Sequence, residues 1–232
     1  MDHQPTDIHG KAYNRNLLVL VLIIGSFCTV LNGTLLATAL PSIMRSFHIS
    51  TATAEWLSTA FLLVNGVMIP VSAWLINRFG SRKMYLTAMS VFFIGTVTAA
   101  VAPNFGTLLT GRIIQGLGVG VTMPLLQTIM LSIFPANKRG AAMGTVGIVI
   151  GLAPAIGPTL SGWIVDNLSW RYLFSIIAPI AGIVIILAFF LIKDVLPTKK
   201  EKIDVWSVTT STIGFGSLLY GFSEAGNKGW TN

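Results

Sequence analysis

Charge is scarce in this sequence. Asp, Glu, Lys and Arg make up only 10% of its 232 residues, and the acids number eight. A soluble domain carries about 25% charged residues, so most of this chain is not built to face water. Cysteine is nearly missing as well. Cys28 stands alone inside the first apolar run, which excludes an intrachain disulfide. The histidines His3, His9 and His48 fall in the tail and the first outer loop. No cluster of His, Cys and carboxylates has ligand spacing, so no metal is expected. No strand precedes the Gly116-Leu117-Gly118-Val119-Gly120 run, which lies in the middle of an apolar stretch and therefore does not read as a phosphate loop. Nothing here supports an enzyme. The lack of a Walker motif favours a gradient over ATP as an energy source.

What is present is apolar sequence, 53% of the chain. Seven segments are long enough to span a bilayer core of about 30 Å as helices. They are Leu17–Leu40, Trp56–Ile76, Met84–Ala102, Gly106–Phe134, Ala141–Val165, Tyr172–Ile192 and Val205–Phe222. The first is too long for the apolar core of a signal peptide, and more spans follow it. The expected organisation is a cytoplasmic tail over 1–16, a six-helix unit over 17–192 and a cytoplasmic linker over 193–204. A seventh transmembrane helix over 205–223 and an outer-side end over 224–232 follow.

The net charge of +7 follows from topology rather than from nucleic acid. With the amino terminus inside, the inner segments hold eleven Lys and Arg, the outer ones three, and Arg112 lies within the membrane. That bias is the positive-inside signature. It predicts a multi-pass protein of the cell membrane with a cytoplasmic amino terminus. The linker charges read as a solvated loop, with no site among them.

Arg112 is the anomaly. It is the only charge between Phe105 and Phe134. It sits eight residues past Asn104, about 12 Å into the membrane at about 1.5 Å per residue. A charge there costs about 2.5–3.5 kcal/mol on insertion scales. It either snorkels to the interface or faces a polar cavity between helices, and its depth favours the cavity. Asn32 on the first span, counted back from Pro41, lies at a similar level and is expected to hydrogen-bond it. Gln115, one turn on, is a further polar candidate for the same cavity. Asn32 alone would read equally as an interhelical tie.

The six-helix unit carries a short internal match. Ala73-Trp74-Leu75-Ile76-Asn77 with Arg82 aligns with Gly162-Trp163-Ile164-Val165-Asp166 with Arg171 at a constant offset of 89 residues. Spans one to three and four to six then read as two copies of opposite topology, with spans one and four in equivalent places beside a central cavity. Span five is dense in small residues, among them Gly144, Gly147, Gly151, Ala153, Gly157, Ser161 and Gly162, and holds Pro154 and Pro158. Small residues let a neighbouring helix approach closely, and proline bends the helix.

At these residues the sequence resembles the major facilitator superfamily. Arg112, Gln115 and Gly116 match its span-four pattern. Gly144, Ala153, Gly157-Pro158 and Ser161-Gly162 resemble its antiporter signature, with Ala and Ser replacing two glycines. Asn77, Arg78, Gly80, Arg82 and Lys83 resemble its first cytoplasmic loop motif. Asp204 and the glycines from Gly214 to Gly221 are similar to the fourteen-helix drug:proton antiporter branch. The resemblance implies an all-α membrane protein, the amino-terminal six-helix half of a 3+3 inverted-repeat fold with one further helix. It implies export of hydrophobic small molecules in exchange for protons, with no cofactor beyond the proton gradient. Partners are then the bilayer, the substrate, and a missing carboxy-terminal half or second chain. The alternative is a membrane fragment that transports nothing by itself.

Two departures bear on coupling. The branch often has an acid at the position of Asn32, and the loop motif usually has one at Asn77. An amide releases no proton in the working range. The remaining acids near span ends, Asp166 and Glu55, are the candidate proton sites. Asp166 stands out because Arg171 is close in sequence.

Overall fold

The first six apolar runs become helices, as a bilayer core requires where no water remains to satisfy an open backbone. In a computed structural model, residues 5–198 are described, and beyond them residues 206, 209–210, 212–214, 216–218 and 220–221, all helical. The helices are α1 (Arg15–Phe47), α2 (Thr51–Phe79), α3 (Ser81–Ala100), α4 (Phe105–Ile133), α5 (Arg139–Asn167) and α6 (Arg171–Leu191), with a 3₁₀ turn at Ala136–Lys138. Among the described residues these six are long and apolar enough to cross a membrane. The seventh span as an element, Asp204 and the outer-side end lie outside the described residues.

Polar caps outside the apolar runs set the starts. Asn14 Oδ1 accepts from the Asn16 and Leu17 amides, Ser50 Oγ from Thr53, and Asn104 Oδ1 from Thr107 at 2.9 Å. Such caps satisfy donors that the first turn leaves open. The first helix is longer than its apolar run. Pro41 does not close it; α1 runs on to Phe47. Proline removes one backbone bond, and neighbouring helices in a membrane bundle tolerate that loss.

The order of contacts carries the repeat. α1 packs against α5 and α6, α4 against α2 and α3, α3 against α6, and α1 against α4. Exchanging α1 with α4, α2 with α5 and α3 with α6 returns the same set of neighbours. The aligned arginines act alike. Arg82, opening α3, donates to the Phe189 carbonyl near the end of α6 at 2.7 Å. Arg171, opening α6, donates to the Ala102 carbonyl just past α3 at 3.0 Å. Each cation rests where helix carbonyls lack partners and the dipole is negative.

One terminus needs help from far along the chain. α3 follows α2 after Gly80 alone, whose φ of +82° suits glycine and which has no side chain to cap with. Asp194 fills that role: its Oδ1 accepts from the Arg82 amide at 2.9 Å. Ser81 Oγ donates to the Lys193 carbonyl and accepts from the Val195 amide. Asp194 thereby ties the chain after α6 to the start of α3. Asp194→Ala is expected to lower stability by about 1 kcal/mol, the usual value of a cap. Asp194→Asn, which keeps an acceptor, should lose less. Thermal unfolding in detergent measures both, and an unchanged midpoint for the alanine variant would refute the cap.

Candidate functional site: a buried polar cluster between α1 and α4

Four helices supply the cluster. Arg112 and Gln115 are one turn apart on α4 and so share a face. Asn32 comes from α1, Thr96 from α3, and the Leu57 carbonyl and Phe61 ring from α2. Arg112 has no exposed surface, and Asn32 is only 2% exposed. Glycines let the backbones come this close. A Cβ on Gly95 would sit 2.6 Å from the Gln115 amide nitrogen, and one on Gly111 would sit 2.9 Å from the Gly95 carbonyl.

The hydrogen bonds run in one sequence. Arg112 donates through NH1 to Gln115 Oε1 at 2.9 Å and through Nε to the Leu57 carbonyl at 3.3 Å. Its guanidinium carbon lies 4.1 Å from the centre of the Phe61 ring. Gln115 Nε2 donates to Thr96 Oγ1 at 2.9 Å and to Asn32 Oδ1 at 3.4 Å. Thr96 spends its own proton on the Phe92 carbonyl, which leaves its oxygen free to accept. Since a guanidinium only donates, it fixes which end of Gln115 faces it. That in turn fixes Asn32 with its oxygen toward Gln115. The remaining donor, Asn32 Nδ2, is buried without a partner.

The expected direct bond between Asn32 and Arg112 is therefore corrected. They are joined through Gln115, because the i+3 partner on its own helix reaches the guanidinium first. Nor does Arg112 look onto an open cavity; it is enclosed. Three groups escaped the sequence reading: Thr96, Phe61 and the Leu57 carbonyl. A Gly-Thr pair on span three was the one available signal for Thr96.

The other expected residues scatter. Ala153 and Gly157 are buried on α5, facing α1, and Ser161 Oγ donates to the Leu35 carbonyl. Gly144, Gly147, Gly151 and Gly162 have nothing within 4 Å of where a Cβ would be. The expected close neighbour is thus found on one face of α5 only. Asn77 and Arg78 are exposed at the end of α2, and Lys83 is exposed opening α3. Glu55 is half-buried and Asp166 exposed. Arg171 turns to the Ala102 carbonyl and the rings of Phe47 and Trp170, not to Asp166. Its sequence neighbour loses to the open carbonyls at the end of α3.

Comparisons with known proteins give the family and the fold. Residues 22–225 match the profile of the Major Facilitator Superfamily. The uncharacterized MFS-type transporter YcnB of Bacillus subtilis is 56% identical over 98% of this chain and 48% of its own length. The lincomycin resistance protein LmrB of the same organism is 42% identical over 96% of this chain and 47% of its own. The crystal structure of the human organic anion transporter MFSD10 (TETRAN) superposes with a TM-score of 0.70 at 16% identity, over 84% of this chain and 53% of that one. At that identity the likeness concerns the fold alone. The chain spans about half the length of the curated relatives it matches.

Proposed function

Because this chain belongs to the Major Facilitator Superfamily, a family of transporters, we propose that it forms one six-helix half of an exporter for amphipathic small molecules, driven by proton exchange. The observation that carries this reading is the enclosed cluster of Arg112, Gln115 and Asn32. A guanidinium kept inside the membrane is costly, and inert spans do not keep one. The relative whose name records lincomycin resistance supports a drug-like substrate. The basic residues near the starts of α1, α3 and α5, among them Arg15, Lys83 and Arg139, support a cytoplasmic amino terminus at the cell membrane.

Binding and coupling divide between residues. The cluster joins the two triplets of helices where α1 meets α4, so a change felt by one reaches the other. Asn32 Nδ2, already desolvated and unpartnered, gains most from an acceptor brought by a substrate. The proton is carried by an acid outside the cluster. Glu55, half-buried on α2, is better shielded for that role than the exposed Asp166. The broad apolar faces of α2 and α5, which include Leu62, Ile69, Ile148 and Trp163, are where a second six-helix half closes the transport path.

The test fuses residues 1–232 to the second half of a relative and follows efflux of a fluorescent hydrophobic dye from cells. Efflux abolished by an uncoupler is the expected result, with none from residues 1–232 alone. Efflux that persists undiminished with the uncoupler would remove proton exchange. No efflux from a fusion present in the membrane would remove the exporter reading.

A further inference from the structure

α2 and α3 are joined by Gly80 alone, yet they touch each other little. Each packs on α4 instead. The wedge left between them is a groove of about 470 Å³, floored by Leu117 and Val121 of α4. That volume falls in the range of about 300–1,000 Å³ typical of ligand sites. Its walls are apolar, and among the described residues Thr87 and Lys83 are the only polar side chains that line it. The groove uses none of the residues of the buried cluster.

Its length and direction are specific. Along α3 it extends from Lys83 to Val91, and along α2 from Phe79 to Met68. Those runs measure about 12 Å and about 16 Å at about 1.5 Å per residue. One leaflet of a hydrocarbon core of about 30 Å is about 15 Å deep. The groove therefore starts at the membrane interface and stops near the midplane. Lys83 stands at the interfacial end, exposed, with Nζ 5.2 Å from the centre of the Phe79 ring. Neighbouring Arg82 is committed to the Phe189 carbonyl, and Lys83 is the cation among the described residues that line the groove.

We propose that this groove holds one acyl chain of an anionic phospholipid from the leaflet at the amino-terminal edge, with the phosphate on Lys83. An apolar slot of one leaflet's depth with a lining cation at its mouth matches a lipid with a negative headgroup. It suits a small drug poorly, because its inner end has no polar group to orient one. Each buried methylene adds to the retention of the chain, and the cation selects headgroup charge. The leaflet assignment rests on the orientation under the proposed function; the groove and its cation do not. Bound there, the lipid would wedge α2 against α3 and favour one spacing of the two.

The purified chain is placed in nanodiscs containing phosphatidylcholine with a small share of a phosphatidylglycerol bearing a diazirine on its acyl chain. Labelled residues are mapped by mass spectrometry, and the outward faces of α6 serve as the reference for casual lipid contact. Label is expected on Met68, Val91 or Val121, in excess of that on α6. The excess should be about fivefold greater than for the same probe built on phosphatidylcholine, the selectivity of one interfacial cation. Lys83→Ala should remove that preference, and Lys83→Glu should invert it. Equal labelling by the two headgroups, label no denser than on α6, or a groove shielded because another helix fills it would each overturn the proposal. Transport is not read, so an inactive chain leaves the result intact. A Lys83→Cys variant probed with an impermeant maleimide in sealed vesicles reports the orientation separately.

Discussion

Arg112→Ala is expected to abolish export while the protein remains folded in the membrane. Two opposing terms keep its effect on stability small. The substitution removes a buried charge, whose effective desolvation costs several kcal/mol. It also leaves a cavity, loses the contact with Phe61 and strands Gln115 Oε1, at about 1–3 kcal/mol for the unsatisfied acceptor. The Leu57 carbonyl lies within a helix and keeps its backbone partner. Transport has no such offset, because the guanidinium is the only charge in the cluster. Arg112→Lys should retain part of the activity, since a single ammonium replaces a fork that reaches Gln115 and Leu57 together.

Gln115→Leu should show the reverse balance. It removes the acceptor of a buried guanidinium and the donor to both Thr96 and Asn32. Losing a hydrogen bond to a buried charged group costs about 1.5–3 kcal/mol, and Thr96 and Asn32 lose their donor as well. The expected order is a lower unfolding midpoint for Gln115→Leu than for Arg112→Ala, both measured in detergent. Dye efflux, normalised to protein in the membrane, completes the comparison. Near-normal efflux by Arg112→Ala would take the arginine out of the mechanism.

The second large effect concerns two sets of glycines that look alike in the sequence. A Cβ on Gly118 would lie 2.5 Å from the Ala88 carbonyl oxygen and 2.8 Å from the Phe92 nitrogen. Both obstacles are backbone of α3, which cannot move aside as a side chain can. Gly118→Ala should therefore force α3 and α4 apart, disturb Thr96 and Gln115, and lower both folded yield and efflux severely. Overpacking costs of about 1–3 kcal/mol are usual, and a backbone clash belongs at the upper end. Gly144→Ala and Gly147→Ala, with nothing within 4 Å, should leave the stability of residues 1–232 unchanged. In the fused transporter the same two changes should reduce efflux, because that face of α5 then meets the second half. Full efflux from the Gly147→Ala fusion would show that the face packs against lipid only.

These contrasts mark what was legible. Spans one to six were readable within a few residues, except that α1 continues past Pro41. The offset of 89 residues was readable from a tryptophan, an arginine and their neighbours, and the paired bonds of Arg82 and Arg171 give it physical content. The repeat is weak in sequence because close approach needs a small residue on only one of two helices. Gly116 and Gly120 of α4 meet α2, whereas in the matching pair Gly157 of α5 meets Thr34 of α1. The role moved from one helix to its partner, and the alignment lost it.

The sequence by itself determined the membrane setting, the six described spans and the position of Arg112 along its helix. Each depends on local counts: apolar length against bilayer thickness, and rise per residue along one helix. Only the tertiary structure decided who meets whom. Gln115 came between Arg112 and Asn32 because it lies one turn away on the same helix and reaches α3 as well. Asp194 became the cap of α3 because the chain after α6 returns to the edge where α3 begins. Five of the six glycines of α5 stayed open while four of the five on α4 closed, because a helix buries only the face turned to its neighbours. Direction around a helix axis, unlike distance along it, is set by the rest of the bundle.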